Sequence, residues 1–299
     1  MASYQQGTIL LTGGTGTVAS GIVPLLDAQS IPYVIACRSG GTASASLSSV
    51  HFDWMDSSTW EAALTSTAAS SPPITSIFLV SPAVPHSSTI MNDFIDLARG
   101  PAYGVKRFVL LAATAVEAGG PFFGGTMGYL AELGGKGEIE FAVLRPTWFQ
   151  NNWAERDNIR RPLQEEGKVY SATADGKVPW VSKYDISACA FHALTAKESV
   201  DGDLVILGPE LLSYSDCARI LSDVLGKEIV HVHLSTEELA KRHHEIQGLP
   251  EEYAKILAAM DTSIKNGSEE IMNDVVLGIT GKKPTTFREF AEANKAAWL

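Results

Sequence analysis

Near the start of the chain, Thr8-Ile9-Leu10-Leu11-Thr12-Gly13-Gly14-Thr15-Gly16-Thr17-Val18-Ala19 joins a short β-type run to an apolar pattern of helical spacing at Val18, Ile22, Leu25 and Leu26. A strand that ends in glycines and turns at once into a helix narrows the choice of fold more than anything else in the sequence. Gly14-x-Gly16-x-x-Ala19 matches the dinucleotide fingerprint in its Ala-ended form. Glycines allow the tight turn and let the backbone approach a pyrophosphate, while the helix N-terminus supplies N–H groups and a positive dipole end. Thr12, Gly13, Gly14, Thr15, Gly16, Thr17 and Val18 are therefore the candidate phosphate cradle.

The rest of the chain supplies the context such a loop needs. Strands are expected at Thr8–Leu11, Ile31–Cys37, Val50–Asp53, Ile74–Val80, Arg107–Leu111, Phe141–Leu144 and Leu204–Leu207, with helical spacing at Trp60–Leu64, Met91–Ala98, Met127–Leu133 and Asp185–Ala196. Apolar runs of this length alternating with helices predict an α/β fold with a doubly wound parallel sheet of Rossmann type. After Trp148 the pattern changes. A polar stretch (Asn158–Lys168) and a Gly-punctuated one (Val169–Trp180) come first, then a helix with Ser213 at its cap, a strand at Glu228–Leu234, and helices over Thr236–Asn266 and Glu269–Leu277. This predicts a smaller C-terminal substrate lobe, with 1–155 plus 181–207 forming the dinucleotide domain and 156–180 plus 208–299 the lobe.

Arg38 is the second informative position. The end of strand two selects the cofactor: an acidic residue binds the ribose 2′-OH, whereas an Arg accommodates a 2′-phosphate. No Asp or Glu lies between Tyr33 and Ser49, and Arg38-Ser39 stands at the selecting position, so the sequence predicts NADP(H). Asp53 closes strand three, where a carboxylate reaches the adenine edge; Trp54, Ser81, Pro82, Ala112, Pro146 and Thr147 follow later strands and complete the expected cofactor contacts.

Composition excludes several partner classes. Lys and Arg total 23 against 34 Asp and Glu, a net charge of -11 without a basic block, which argues against a nucleic-acid partner. Cys37, Cys189 and Cys217 are widely spaced, and the adjacent His243-His244 face different sides of a helix, so neither a disulfide framework nor a metal site is expected. No run approaches the roughly 18 apolar residues of a membrane span. The expectation is a cytoplasmic protein that neither crosses nor binds a membrane.

Taken together, Thr12-Gly13-Gly14-Thr15-Gly16, Arg38-Ser39, Phe52-Asp53, Arg107-Phe108-Val109-Leu110-Leu111 and Leu144-Arg145-Pro146-Thr147-Trp148-Phe149 resemble the NmrA-like atypical short-chain dehydrogenases. Within that group Thr147-Trp148-Phe149, the run from Ile206 to Tyr214, and Asn273-Asp274-Val275-Val276 are similar to the fungal clavine dehydrogenases (festuclavine and agroclavine dehydrogenases) of ergot alkaloid biosynthesis. The likeness spans essentially the whole chain. It implies NADPH-dependent reduction of a tricyclic iminium, formed from an indole-bearing aldehyde and its own secondary amine, the precursor being delivered by an upstream reductase or oxidase.

One departure from the wider superfamily bears on that chemistry. Carbonyl-reducing members use a Tyr-x-x-x-Lys pair because the developing alkoxide must receive a proton. Here Tyr129 is followed four residues on by Leu133, Lys136 is out of register, and Thr114 matches the usual Ser or Thr after strand five. Tyr129 and Thr114 are thus the catalytic candidates, in an incomplete dyad. An iminium needs no proton, since hydride delivery gives a neutral amine directly, and the protein then has only to bind and orient. Phe122-Phe123, Tyr129, Trp148, Phe149 and Trp180 are candidate pocket walls, with Asn151 or Asn152 as polar anchors; aromatic faces suit an indole and a cationic amine. Two other readings stay open: a non-catalytic NADP(H)-sensing regulator, and a reductase of another small electrophile such as a quinone.

Overall fold

The computed structural model describes residues 6–40, 49–67 and 71–299. In chain order the elements are β1 (Thr8–Thr12), α1 (Ala19–Ala28), β2 (Tyr33–Cys37), β3 (Ser49–His51), α2 (Trp60–Thr65), β4 (Ile74–Val80), α3 (Ser87–Arg99), β5 (Arg107–Leu111), α4 (Gly124–Gly135), β6 (Glu140–Pro146), α5 (Asn152–Glu155), α6 (Asp157–Glu165), β7 (Lys168–Ser171), α7 (Lys183–Thr195), β8 (Gly202–Ile206), α8 (Tyr214–Leu225), β9 (Val230–His233), α9 (Thr236–Glu245), α10 (Glu251–Lys265), α11 (Val275–Thr280) and α12 (Phe287–Ala293). They fall into two compact units: 1–146 with 186–205, and 147–185 with 206–299. Residues 147–155, 181–185 and 206–207 thus group with the second unit, where the sequence suggests the first.

The first unit is a seven-stranded sheet in the order β3-β2-β1-β4-β5-β6-β8, and every pairing from β3 through β6 is parallel. This is the Rossmann-type α/β architecture expected from the alternating pattern. Because side chains alternate along a strand, Leu10, Ile77, Leu79, Phe108, Leu110, Phe141 and Val143 pack one face against Met91, Phe94 and Ile95 of α3 and Met127, Leu130 and Leu133 of α4. Their alternates Ile9, Leu11, Phe78, Val109, Ala142 and Leu144 are equally buried. Both faces are covered, which is why these strands read as continuous apolar runs.

One buried residue breaks the apolar rule. Arg107 opens β5 with its side chain wholly out of solvent; its Nε donates to Glu140 at 2.8 Å, and Nη1 donates to the carbonyls of Leu194 and Ala196 at 3.3 and 2.6 Å. The guanidinium therefore ties β5 to β6 and to the C-terminal end of α7.

The second unit is built on a short parallel pair, β7 with β9, and an aromatic core in which Trp153, Trp180, Tyr214 and Phe287 meet edge to face or tilted. Ser213 caps α8 as the sequence suggested: its hydroxyl accepts from Asp216 N–H, Asp216 accepts from the Ser213 N–H, and Gly226 ends the helix in the left-handed region. Two expectations are corrected here, and a third stretch gains a structure. The helix over Thr236–Asn266 is two, α9 and α10, because Gly248 adopts a φ of +70° and Pro250 disfavours helix at Leu249. The Glu269–Leu277 helix is instead α11, beginning at Val275. The polar stretch Asn158–Lys168 is largely helical (α6) and carries a narrow apolar side at Ile159, Pro162 and Leu163. No helix of the described residues is long and apolar enough to cross a membrane.

Candidate functional site

Parallel strands bring their C-terminal ends to one edge of the sheet, and ligands of open α/β sheets bind outside that edge. Thr12, Arg38 and Ser39, Ser81 and Pro82, Ala112, and Pro146 lie at the ends of β1, β2, β4, β5 and β6. The fold therefore collects the cofactor candidates of the first unit by topology, with no pairwise contact needed.

The β1–α1 loop is the best-defined part of this edge. Gly13 has a φ of +58° and its N–H-to-carbonyl turn is closed by Gly16 N–H donating to Gly13 O at 2.8 Å. Gly14 is buried: a Cβ there would stand 2.6 Å from Ile35 Cγ2 and 2.9 Å from Leu11 O. Thr15, Gly16 and Thr17 are exposed. The N–H groups of Thr15, Thr17 and Val18 have no hydrogen-bond acceptor among the described residues, and the first turn of α1 has no acidic residue. Unpaired amides at a helix N-terminus, with no carboxylate to repel an anion, fit a pyrophosphate.

Arg38 is exposed at the end of β2, and among the described residues its guanidinium has no ion-pair or hydrogen-bond partner. Its carbonyl is engaged by His51 Nδ1 at 2.7 Å, and Ser39 Oγ lies 3.5 Å from Cys37 Sγ. A fixed backbone carrying a free cation is the arrangement a 2′-phosphate requires. β3 stops at His51 instead of running to Asp53, because Asp53 enters a turn. Its N–H donates to Thr59 Oγ1 at 3.0 Å and its Oδ1 accepts from Met55 N–H at 2.9 Å. Trp54 is half-buried: its indole N–H donates to Val80 O at 3.0 Å, and its ring packs against Phe52, Trp60 and Phe94. It braces the ends of β3 and β4 from the edge of the core.

Between β5 and α4, Ala112 N–H donates to Leu144 O at 2.8 Å and Thr114 N–H to Pro146 O at 3.1 Å. Arg145, quoted above within a family motif but given no role there, holds the same loop: its Nη2 donates to the carbonyls of Thr114 and Val116, both at 3.2 Å, and pairs with Glu117 at 2.7 Å. Phe123 is half-buried where α4 begins and packs against the sheet's core, with Phe122 more exposed beside it.

Tyr129, the candidate acid and pocket wall, has its hydroxyl engaged within the first unit. Its hydroxyl donates to Asp96 Oδ1 at 2.6 Å, near the C-terminal end of α3, and Arg99 pairs with the same carboxylate at 2.7 Å. Helices α3 and α4 start at the strand C-terminal edge and run back, so this contact draws the phenol away from it. Burial and the Asp96 charge push the phenol pKa above its usual 10.0. For Asp96, burial raises the pKa, but the bonds from Tyr129 and Arg99 outweigh it and hold the carboxyl low. A general acid is tuned toward neutrality, not away from it. Tyr129→Phe is expected to leave turnover within about twofold and to cost about 1 kcal/mol of stability, the worth of one hydrogen bond; paired kcat and thermal-melt measurements check both.

In the second unit the sequence candidates separate into core and surface. Trp180 is 1% exposed and donates its indole N–H to Leu212 O at 3.2 Å, so it is core and not a pocket wall. Asn151 is likewise engaged: Oδ1 accepts from Lys183 N–H at 2.9 Å and Nδ2 reaches Glu155 at 3.4 Å. Thr147 gives its N–H to Ile206 O at 3.2 Å and its hydroxyl to the buried carboxylate of Glu269 at 2.8 Å, which leaves neither donor for a cofactor. Phe149 is half-buried and bridges to Val181. Trp148 is half-buried, and together with Asn152 it lines a cavity of about 590 Å³ bounded by α6, α9 and α10. Tyr253 and Leu257 of α10 line it too. The sequence did not mark them, for they lie about a hundred residues from Trp148 and belong to no motif.

No protein-family model matches the chain. It is 41% identical over 292 residues to festuclavine synthase II of Penicillium roqueforti, covering 97% of this chain and 99% of that protein. It is 39% identical over 293 residues to agroclavine dehydrogenase of Claviceps fusiformis, covering 98% and 99%. The chain belongs to the clavine dehydrogenase family. The clavine dehydrogenase fold is shared with solved structures of low sequence identity. An NADPH complex of a quinone oxidoreductase from Escherichia coli superposes with a TM-score of 0.78 at 20% identity, covering 95% of this chain and 99% of that one. A Citrobacter triphenylmethane reductase in complex with NADP(H) gives 0.77 at 20% identity, covering 96% and 99%. For this clavine dehydrogenase family member, amides and an Arg without partners among the described residues stand at the strand ends, and the Tyr129 hydroxyl is bonded to Asp96.

Proposed function

We propose that this chain is an NADPH-dependent reductase of a cyclic iminium in clavine-type alkaloid biosynthesis. Identity of 41% along nearly the whole of a festuclavine synthase carries the reading. The amides of Thr15, Thr17 and Val18 and the Arg38 guanidinium, without partners among the described residues, support the cofactor half of it. In that role the amides hold the pyrophosphate and Arg38 the 2′-phosphate, while Arg145 keeps the β5–α4 loop in place. When bound, NADPH supplies a hydride, which forms the new C–H bond at the iminium carbon as the C=N π pair returns to nitrogen. The product is a neutral amine, so no side chain has to deliver a proton, consistent with the absence of a Tyr-x-x-x-Lys pair. The protein's contribution is then orientation and exclusion of water. In the same reading an upstream reductase or oxidase supplies the precursor, and the reaction takes place in the cytoplasm.

The test is turnover of a preformed tricyclic iminium with NADPH, followed as amine formed per NADPH consumed. Equal amounts are expected. NADPH binding without reduction would favour a sensing regulator, and reduction confined to quinones would favour a reductase of other electrophiles. For the cofactor, Arg38→Ala is expected to weaken NADPH binding by about 10- to 150-fold, the loss of a charge-assisted contact of roughly 1.5–3 kcal/mol, with NADH binding little changed. Equal NADPH affinity in both proteins would remove Arg38 from the 2′-phosphate site.

A further inference from the structure

We infer that the cavity bounded by α6, α9 and α10 in the second unit binds the fused-ring body of the amine substrate, with Trp148 on one side and the Tyr253–Leu257 face of α10 on the other. This inference rests on the reading of the chain as an iminium reductase and adds where its substrate is held.

The cavity measures about 590 Å³, within the roughly 300–1,000 Å³ common for small-molecule sites. Its apolar surface comes from Trp148, Ile159, Ile246, Leu249, Tyr253 and Leu257. Two of these are large side chains left open to solvent: Ile246 is 67% exposed and Tyr253 is 49% exposed. Tyr253 and Leu257 are four residues apart and share one face of α10. Apolar surface of this kind around a concave site marks a place where a ligand completes the packing.

Charge decides the ligand class. Arg156, Arg161 and Arg242 are matched by Asp157, Glu165 and Glu166 around the rim. Several of these are already engaged with one another or with neighbours. Arg160 and Arg161 hold Asp157 at 2.6 and 3.2 Å, and Arg242 stacks 3.6 Å over the Tyr170 ring while pairing with Glu166 at 3.4 Å. A rim with no net charge does not select a diphosphate ligand such as a nucleotide sugar, which needs a cationic lining. What remains is shape and two aromatic side chains, which suit a flat ring system and a positive amine by stacking and cation–π attraction. An indole-fused tricyclic amine has both.

The experiment uses the full-length protein with Leu257→Trp, which fills the cavity, and Tyr253→Ala, which removes an aromatic wall. Ile256→Ala on the same helix, exposed and outside the cavity, is the control. Both cavity variants are expected to raise KM for the iminium about tenfold or more, with the NADPH Kd unchanged and the control like wild type. Calorimetric titration with the reduced tricyclic amine, in the absence of cofactor, is expected to show binding to wild type and loss of it in Leu257→Trp. If wild type reduces the iminium but the cavity variants keep its KM, the inference is overturned and the proposed function stands. If wild type does not reduce the iminium, the proposed function fails, and the titration judges the cavity alone: amine binding lost in Leu257→Trp supports it, and no binding to wild type, or equal binding to both, overturns it.

Discussion

Gly16→Val is expected to weaken NADPH binding by more than about 100-fold, the loss of at least two charge-assisted amide contacts at roughly 1.5–3 kcal/mol each, while the protein stays folded. Among the loop glycines, position 16 separates these effects. A side chain on Gly13 would meet Val80 at 3.0 Å in a backbone with a φ of +58°, and one on Gly14 would strike Ile35 and the β1 carbonyl of Leu11. Either change damages the sheet itself. A Cβ on Gly16 meets only Gly13 O, at 3.0 Å, and otherwise projects outward from an exposed loop. It would obstruct the space a pyrophosphate occupies against the free amides of Thr15, Thr17 and Val18. Fluorescence titration with NADPH, alongside a thermal melt, separates binding from folding. Normal affinity in a folded Gly16→Val protein would exclude the loop as the phosphate cradle.

The largest expected loss of stability lies far from the cofactor edge. Arg107→Met keeps the side chain's length but removes the ion pair to Glu140 and the donors to Leu194 O and Ala196 O. Losing charge-assisted bonds of this kind costs about 1.5–3 kcal/mol, a sizeable share of the roughly 5–15 kcal/mol that holds a typical protein folded. Glu140 is 34% exposed and Ala196 half-buried, so water can take over part of what they lose; the buried Leu194 carbonyl has less recourse. Urea denaturation is expected to show the loss with NADPH affinity per folded molecule unchanged. A change below about 1 kcal/mol would mean that packing, not the charge network, fixes the α7 end.

Much of this molecule is set by local pattern. The alternation of apolar runs with helical spacing is a local property, and two covered faces demand it, so the parallel sheet and the placement of its strand ends were legible from the sequence. The β1–α1 loop was legible for the same reason: glycine spacing and a following helix are encoded within about a dozen residues, and Arg38 needed only a strand end and the absence of an acid. The Ser213 cap and its Asp216 partner likewise sit within one helical turn.

What tertiary structure decided depends on partners distant in the chain. Trp148 and Trp180 look alike as sequence, but Trp180 meets Trp153 and Tyr214 in the core while Trp148 borders the cavity. Tyr129 stands in the region of the superfamily's acid, and only the packing of α3 against α4 shows its hydroxyl taken by Asp96. Arg107 hides in a strand because Glu140 and the end of α7 come to meet it. The cavity joins residues from 148 to 257, contributed by elements whose local sequence gives no sign of one another. The period of a strand or a helix is written in the chain, whereas burial of a particular side chain is a property of what folds against it.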